Sequence, residues 1–251
     1  MAPQRKYPQP RSQKPGCGFP ALKLVGLLDL ASGAWIAFSK CHTRVHESRL
    51  FRLLYRHLRA GDTVVTDRGF CAYWTMAELM AKGVDVVMRN HQMRRSDFRT
   101  GVRLGRRDHL IVWEKPQRPR WMDGATYAAM PDQIVLRETA SKMGRDGFPT
   151  TDVILASTFL PVEEKSAQEL GEIYLRRWRV ELFFDDIKTT MAMGVLRTKS
   201  PSMVCRELLM HMIAYNLLRL AVAGSSGDPE RTSFKGAADR VHVWAPQIMA
   251  A

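Results

Sequence analysis

Short apolar blocks separated by turn residues alternate along this chain with longer stretches of helical period. Leu22 to Leu30 is mostly apolar, and Gly33 to Ser39 follows after Ala31 and Ser32, which predicts two strands joined by a tight turn. His46 to Leu58 carries Leu50, Leu53, Leu54 and Leu58 at helical spacing, and Gly61-Asp62 supplies its stop. Thr63 to Asp67 is a short apolar strand ending on a carboxylate. After the loop Arg68-Gly69-Phe70 comes a helix around Tyr73 to Met80, then a buried strand at Val84 to Met88.

From Arg89 to Arg120 the character changes, with ten Lys or Arg against three Asp or Glu. Pro116, Pro119, Gly124 and Pro131 punctuate strand-like runs at His109 to Trp113 and Gln133 to Glu138, so this stretch reads as a β-rich basic insertion. Asp152 to Ser157 returns to a buried-strand pattern. One long helix is predicted from about Ala167 to Met191 and another from about Met203 to Val222; beyond Gly224, Ser233-Phe234-Lys235 closes no obvious element. The predicted organisation is a core segment over 1–88, the insertion over 89–150, a second core segment over 151–224 and an incomplete tail over 225–251.

Composition sharpens this. The 251 residues are 45% hydrophobic, enough for a core, and the formal charge of +13 points to a polyanion, nucleic acid first. Cys17, Cys41, Cys71 and Cys205 lie far apart without a Cys-x-x-Cys spacing and read as free, mostly buried thiols of a reducing compartment. No apolar run approaches the roughly 20 residues that span a bilayer, and Met1 to Gly18 lacks the apolar core of a signal peptide, so no membrane association is expected.

Four residues of the long helix, Tyr174, Arg177, Glu181 and Lys188, fall at roughly 0°, 300°, 340° and 320°, a stripe about 60° wide. A carboxylate on that face could hold a metal while the two cations grip phosphates on either side, which phosphodiester chemistry requires. The plainer reading is a solvated face with ordinary i to i+4 pairing.

The spacing Tyr-x2-Arg-x3-Glu-x6-Lys resembles the signature of a group of bacterial insertion-sequence DDE transposases, the insertion-sequence-four-like family. Asp67-Arg68-Gly69-Phe70 is similar to the segment carrying the second catalytic Asp of that group. Tyr7-Pro8-Gln9-Pro10, Gln13-Lys14-Pro15-Gly16-Cys17-Gly18-Phe19-Pro20 and His46-Glu47-Ser48 resemble one of its branches. The resemblance runs from about Tyr7 to at least Trp244. It implies an α/β fold, an RNase H-like mixed sheet flanked by helices, with a β-rich insertion before the last catalytic helix. It also implies two Mg²⁺ or Mn²⁺ ions held through Asp67 and Glu181, and transposon-end phosphates positioned by Tyr174, Arg177 and Lys188. The partners implied are transposon-end and target DNA and a second copy in a synaptic homodimer, in a bacterial cytoplasm at the nucleoid.

The pattern departs from the family in one respect. The first catalytic Asp belongs on a first strand, in an Asp-Gly-Thr-like segment, and nothing of that kind precedes Tyr7. Asp29, in the opening hairpin, is expected to be structural or on the surface. Two carboxylates hold a pair of cations about 4 Å apart poorly, so the chain is expected to be a transposase catalytic domain truncated at both ends, inactive or partial as it stands. The alternatives are a catalytically dead DNA-binding or subunit-sequestering fragment and a metal-dependent nuclease.

Other constellations carry less. His46-Glu47, with His42, lacks the second His of a zinc motif, Gly101 to Gly105 is no phosphate loop, and Asp185 and Asp186 read as a helix-surface pair. Trp113 and Trp121 are candidates for stacking on an unpaired base, against a core role. Arg94-Arg95 and Arg106-Arg107 are expected to meet phosphate.

Overall fold

The computed structural model describes residues 2–14, 16, 18–144, 151–226 and 233–249. The chain divides into two compact units, one of Met1–Leu54 with Trp178–Ala251 and the other of Tyr55–Arg177. The first unit opens with a short helix α1 (Ala2–Lys6) and the expected antiparallel hairpin of β1 (Leu22–Leu28) and β2 (Trp35–His42). Asp29 shapes the turn: its carboxylate accepts the backbone N–H of Ala31 at 3.3 Å and of Ser32 at 2.9 Å, and Gly33 takes φ +75°, a conformation that favours glycine. Burial pushes the Asp29 carboxyl up, but the bonds from Ser32 and Ala31 outweigh it and leave its pKa below the ordinary value. Asp29 is therefore structural.

Helix α2 (Glu47–Arg52) is shorter than expected. Its N-cap is His46, whose ring accepts the Ser48 backbone N–H, and Glu47 pairs with Lys23 at 3.5 Å, so His46-Glu47 serves a cap and an ion pair. The predicted continuation to Leu58 is instead a 3₁₀ turn at Tyr55–His57, in the second unit.

That unit is built on β3 (Thr63–Thr66), α3 (Tyr73–Ala81), β4 (Asp85–Arg89), β5 (Val102–Gly105), β6 (Asp108–Glu114), α4 (Gly124–Ala128), β7 (Gln133–Met143), β8 (Thr151–Ser157) and α5 (Ala167–Leu175). The strands form one six-stranded mixed sheet in the order β3-β4-β8-β7-β6-β5, with β3 and β4 parallel and every other pair antiparallel. This is the α/β class expected, a mixed sheet with helices on it, and strands of the basic stretch extend the sheet that β3, β4 and β8 begin. Helix α5 lies over β3, β4, β7 and β8, burying Leu170 and Tyr174 against Val87, Met143, Val153 and Leu155. It starts on a full capping box, Ser166 with Glu169. Strand β7 runs five residues past its predicted end, and β5 and α4 were not expected.

The chain returns to the first unit with α6 (Trp178–Asp185), a π-helical turn (Asp186–Thr190), α7 (Pro201–Ser226) and α8 (Phe234–Met249). The single helix predicted over 167–191 is thus interrupted. After Leu175 the ladder tightens to a bond from the Arg177 N–H to the Tyr174 carbonyl at 3.0 Å, and α6 starts anew at Trp178. The Ser233–Lys235 region, read as closing nothing, begins α8, anchored by the buried ring of Phe234, whose centroid lies 4.8 Å from that of Tyr215. The core of this unit gathers Trp35, Phe183, Ile187, Val204, Leu208, Met212 and Tyr215. No helix among the described residues is long and apolar enough to cross a membrane.

Candidate active site

Asp67 follows β3 directly, at the carboxyl end of a parallel strand, where open α/β sheets place ligand sites. Its Oδ1 accepts the Gly69 backbone N–H at 2.8 Å. A Cβ at Gly69 would come within 3.1 Å of that oxygen, so the close turn suits glycine. The carboxylate is exposed. One step beyond the paired residues Thr66 and Met88, the neighbouring strand presents Arg89.

Tyr174 belongs to the same unit. It is 7% exposed, and the Arg177 guanidinium sits 5.7 Å from its ring centroid. Burial raises the Tyr174 pKa, Arg177 and Arg89 oppose the rise, and Asp67 adds to it, so all three charges act on one phenol. The second unit therefore gathers Asp67, Arg89, Tyr174 and Arg177. The sequence does not single out Arg89, because only the parallel pairing of β3 with β4 sets it beside Asp67.

Glu181 and Lys188 belong to the first unit. Glu181 is exposed in the first turn of α6. Lys188 is exposed in the π-helical turn, its ammonium 5.2 Å from the Phe184 ring centroid, and it lines a groove of about 840 Å³ with Phe19, Leu24, Phe184, Val195 and Arg197. The four signature residues thus occupy α5, the turn after it, α6 and a π-helical turn, the first two in one unit and the last two in the other. Asp185 accepts the Thr189 hydroxyl at 2.8 Å and Asp186 pairs with Arg219 at 2.6 Å, so both serve local structure.

Several expected DNA contacts are occupied otherwise. Trp113 is 3% exposed, with the Arg94 guanidinium stacked 3.6 Å from its ring centroid, which makes both part of the packing. Trp121 remains partly exposed, edge-on to Trp74 at 6.4 Å. Arg107 takes φ 57° in the β5–β6 turn and pairs with Asp152 at 2.6 Å, whereas Arg95 and Arg106 are exposed.

Beneath the basic surface of this unit lies a buried polar network. His109, fully buried, bonds through Nδ1 to the Thr100 carbonyl at 2.6 Å and faces Glu138 at 3.5 Å; Glu138 accepts from the Asn90 amide at 3.1 Å. Cys71 lies against Asn90, and burial pushes its thiol up to about 12. Cys41 and Cys205 are also free but only half-buried, and Cys17 and Pro15 lie outside the described residues. At pH 8 the Cys71 thiolate fraction should be ~10⁻⁴. Iodoacetamide followed by peptide mass mapping should therefore label Cys41 and Cys205 in the native chain and Cys71 only after denaturant is added. Native labelling of Cys71 at the same rate would contradict its burial.

Asp67 and Glu181 are oxygen donors suited to a hard divalent ion. Among the described residues, however, no group of three or more His, Cys, Asp or Glu is gathered to hold a metal.

Comparison with known proteins agrees with this reading of the sequence. The family model described as Transposase DDE domain matches residues 2–217. The transposase InsG for insertion sequence element IS4 of Escherichia coli (strain K12) is 26% identical over 211 residues, 80% of this chain and 44% of that protein. The putative transposase InsL for IS186A of Escherichia coli (strain K12) and the transposase for IS421 of Escherichia coli are each 29% identical over 80 residues, 32% of this chain and 22% of theirs. The chain spans less than half the length of these curated relatives. Proteins of this family act on DNA and generally use divalent metal ions. With well over half of its residues inside the family match, the chain belongs to the Transposase DDE domain family.

Proposed function

We propose that this chain is a stretch of the catalytic domain of an insertion-sequence DNA transposase, acting on transposon ends by phosphodiester hydrolysis and strand transfer. The observation that carries the reading is the family match over residues 2–217, which includes the ungapped Tyr174, Arg177, Glu181 and Lys188 spacing. The charge of +13 supports it, since a polyphosphate partner suits such a chain.

In this reading Asp67 and Glu181 are two of the carboxylates that hold Mg²⁺ or Mn²⁺ in the intact enzyme, in which two ions are bound, and a further carboxylate completes the set. Tyr174, Arg177 and Lys188 hold the transposon-end backbone: the guanidinium offers paired donors to a phosphate, the ammonium a point charge, and the phenol one hydroxyl. Two copies pair on the DNA in a synaptic complex, in the bacterial cytoplasm. A second reading, a fragment that grips DNA or a partner subunit without cutting, is favoured by one observation, the charge of +13, which suits a grip on DNA whether or not cutting follows.

Binding to an end duplex tests the DNA contact without requiring cleavage. Lys188→Ala should weaken binding and lower the slope of log affinity against log salt by about 0.9, the release associated with one phosphate contact. Fluorescence anisotropy at four or five salt concentrations measures this. An unchanged slope removes Lys188 from the interface.

A further inference from the structure

Helix α7 is apolar on two opposite sides. Val204, Leu208, Met212, Tyr215 and Val222 form the buried side, within the core of the first unit. On the other side Met203, Leu209, Met210, Ile213, Leu217 and Leu220 are 42% to 70% exposed. At about 100° per residue these six fall within a sector roughly 120° wide, facing away from the buried side. A helix apolar all round belongs in an interior, and α7 does not qualify as a membrane span.

We propose that α7 pairs with α7 of a second copy of this chain through that exposed face. The spacing supports the choice of occupant. Met203, Met210, Ile213, Leu217 and Leu220 follow one another at intervals of seven, three, four and three, the repeat of a coiled-coil seam. Such a seam is complementary to another of its own kind. Arg206 is the charged residue lying on it, so the face offers little to a phosphate backbone.

The area is adequate as well. Six side chains at roughly 100 Å² of exposed apolar surface each give roughly 1,200 Å² across two copies, the lower end of specific protein interfaces. Contacts of that size fall below those of obligate dimers, so a reversible dimer is expected. The inference deepens the two-copy reading above and rests on it, by naming the surface through which the copies meet.

Sedimentation of the whole chain from ~1 to ~100 µM tests it, a range suited to a reversible dimer. The wild-type chain should dimerise, and Leu217→Glu should raise the dissociation constant roughly tenfold or more by placing charge in the seam. Because Leu217 is 61% exposed, circular dichroism should show the fold retained. Trp244→Glu, on the exposed part of α8 and off the seam, should leave the dimer intact. A dimer that survives Leu217→Glu, or that Trp244→Glu dissolves instead, overturns the seam and leaves the two-copy reading standing. A wild-type chain still monomeric at ~100 µM also overturns the seam; if it binds an end duplex as a single copy, the two-copy reading falls with it.

Discussion

Glu181→Gln in an intact transposase carrying this stretch should lower strand nicking at the transposon end by roughly 10³-fold or more, about 4 kcal/mol of transition-state stabilisation. The substitution keeps the shape of the side chain and removes its charge, and a neutral amide is a far poorer ligand for a hard divalent ion than a carboxylate. Glu181 is exposed on α6 and its amide replacement is isosteric, so stability should hardly change. Affinity for the end duplex should also survive, because Tyr174, Arg177 and Lys188 are proposed to hold the phosphates. Nicking of a labelled end duplex measured beside a gel shift separates the two effects. Retained nicking would remove Glu181 from the reaction, and loss of both activities would make it part of the DNA grip.

Much of this arrangement is written locally in the chain. The hairpin of β1 and β2 follows from two apolar runs around Asp29 and Gly33, and β3 from the four residues before Asp67. Each needs only near neighbours in sequence. What could not be read depends on distant partners. Strand β7 continues to Met143 because β8 pairs with it along its length, Met143 facing Thr151. Strand β5 is an edge with Val102 and Arg103 exposed, so it lacks the alternation of a half-buried strand. The break after Leu175 leaves no mark of Gly or Pro, and helical period runs across it, so the sequence reads as one long helix where α5 and α6 are separate elements.

Polar residues in strands are a second case in which burial is set by distant partners. Arg137, Glu138 and His109 are each at most 2% exposed, yet a basic stretch full of charges suggests a solvated surface. Their burial depends on partners brought across the sheet, His109 opposite Glu138 on β6 and β7. Arg89 was overlooked for a related reason: its relevance depends on the parallel pairing of β3 with β4, which sets it beside the strand that ends at Asp67.

The largest loss of stability is expected at Arg137. Its side chain is fully buried and makes a two-pronged ion pair with Asp108, Nε to Oδ1 at 2.8 Å and Nη2 to Oδ2 at 2.6 Å. Its remaining nitrogen bonds the carbonyls of Pro161 at 3.3 Å and Lys165 at 2.6 Å, tying β7 to the loop that leads into the capping box of α5. Arg137→Ala leaves Asp108 buried without its partner, which should cost about 3–5 kcal/mol, because one charge left alone in an interior is worse than none. Thermal unfolding should fall by roughly 10 °C or more on that scale. The double variant Arg137→Met with Asp108→Leu removes both charges and should recover most of the loss. Even then the loop before Ser166 loses its tether, and α5 presents Tyr174 less firmly. The double variant should therefore regain its melting temperature while binding the end duplex more weakly than the wild type. Equal stability losses in the single and double variants would mean that the ion pair contributes little beyond the packing of the arginine stem.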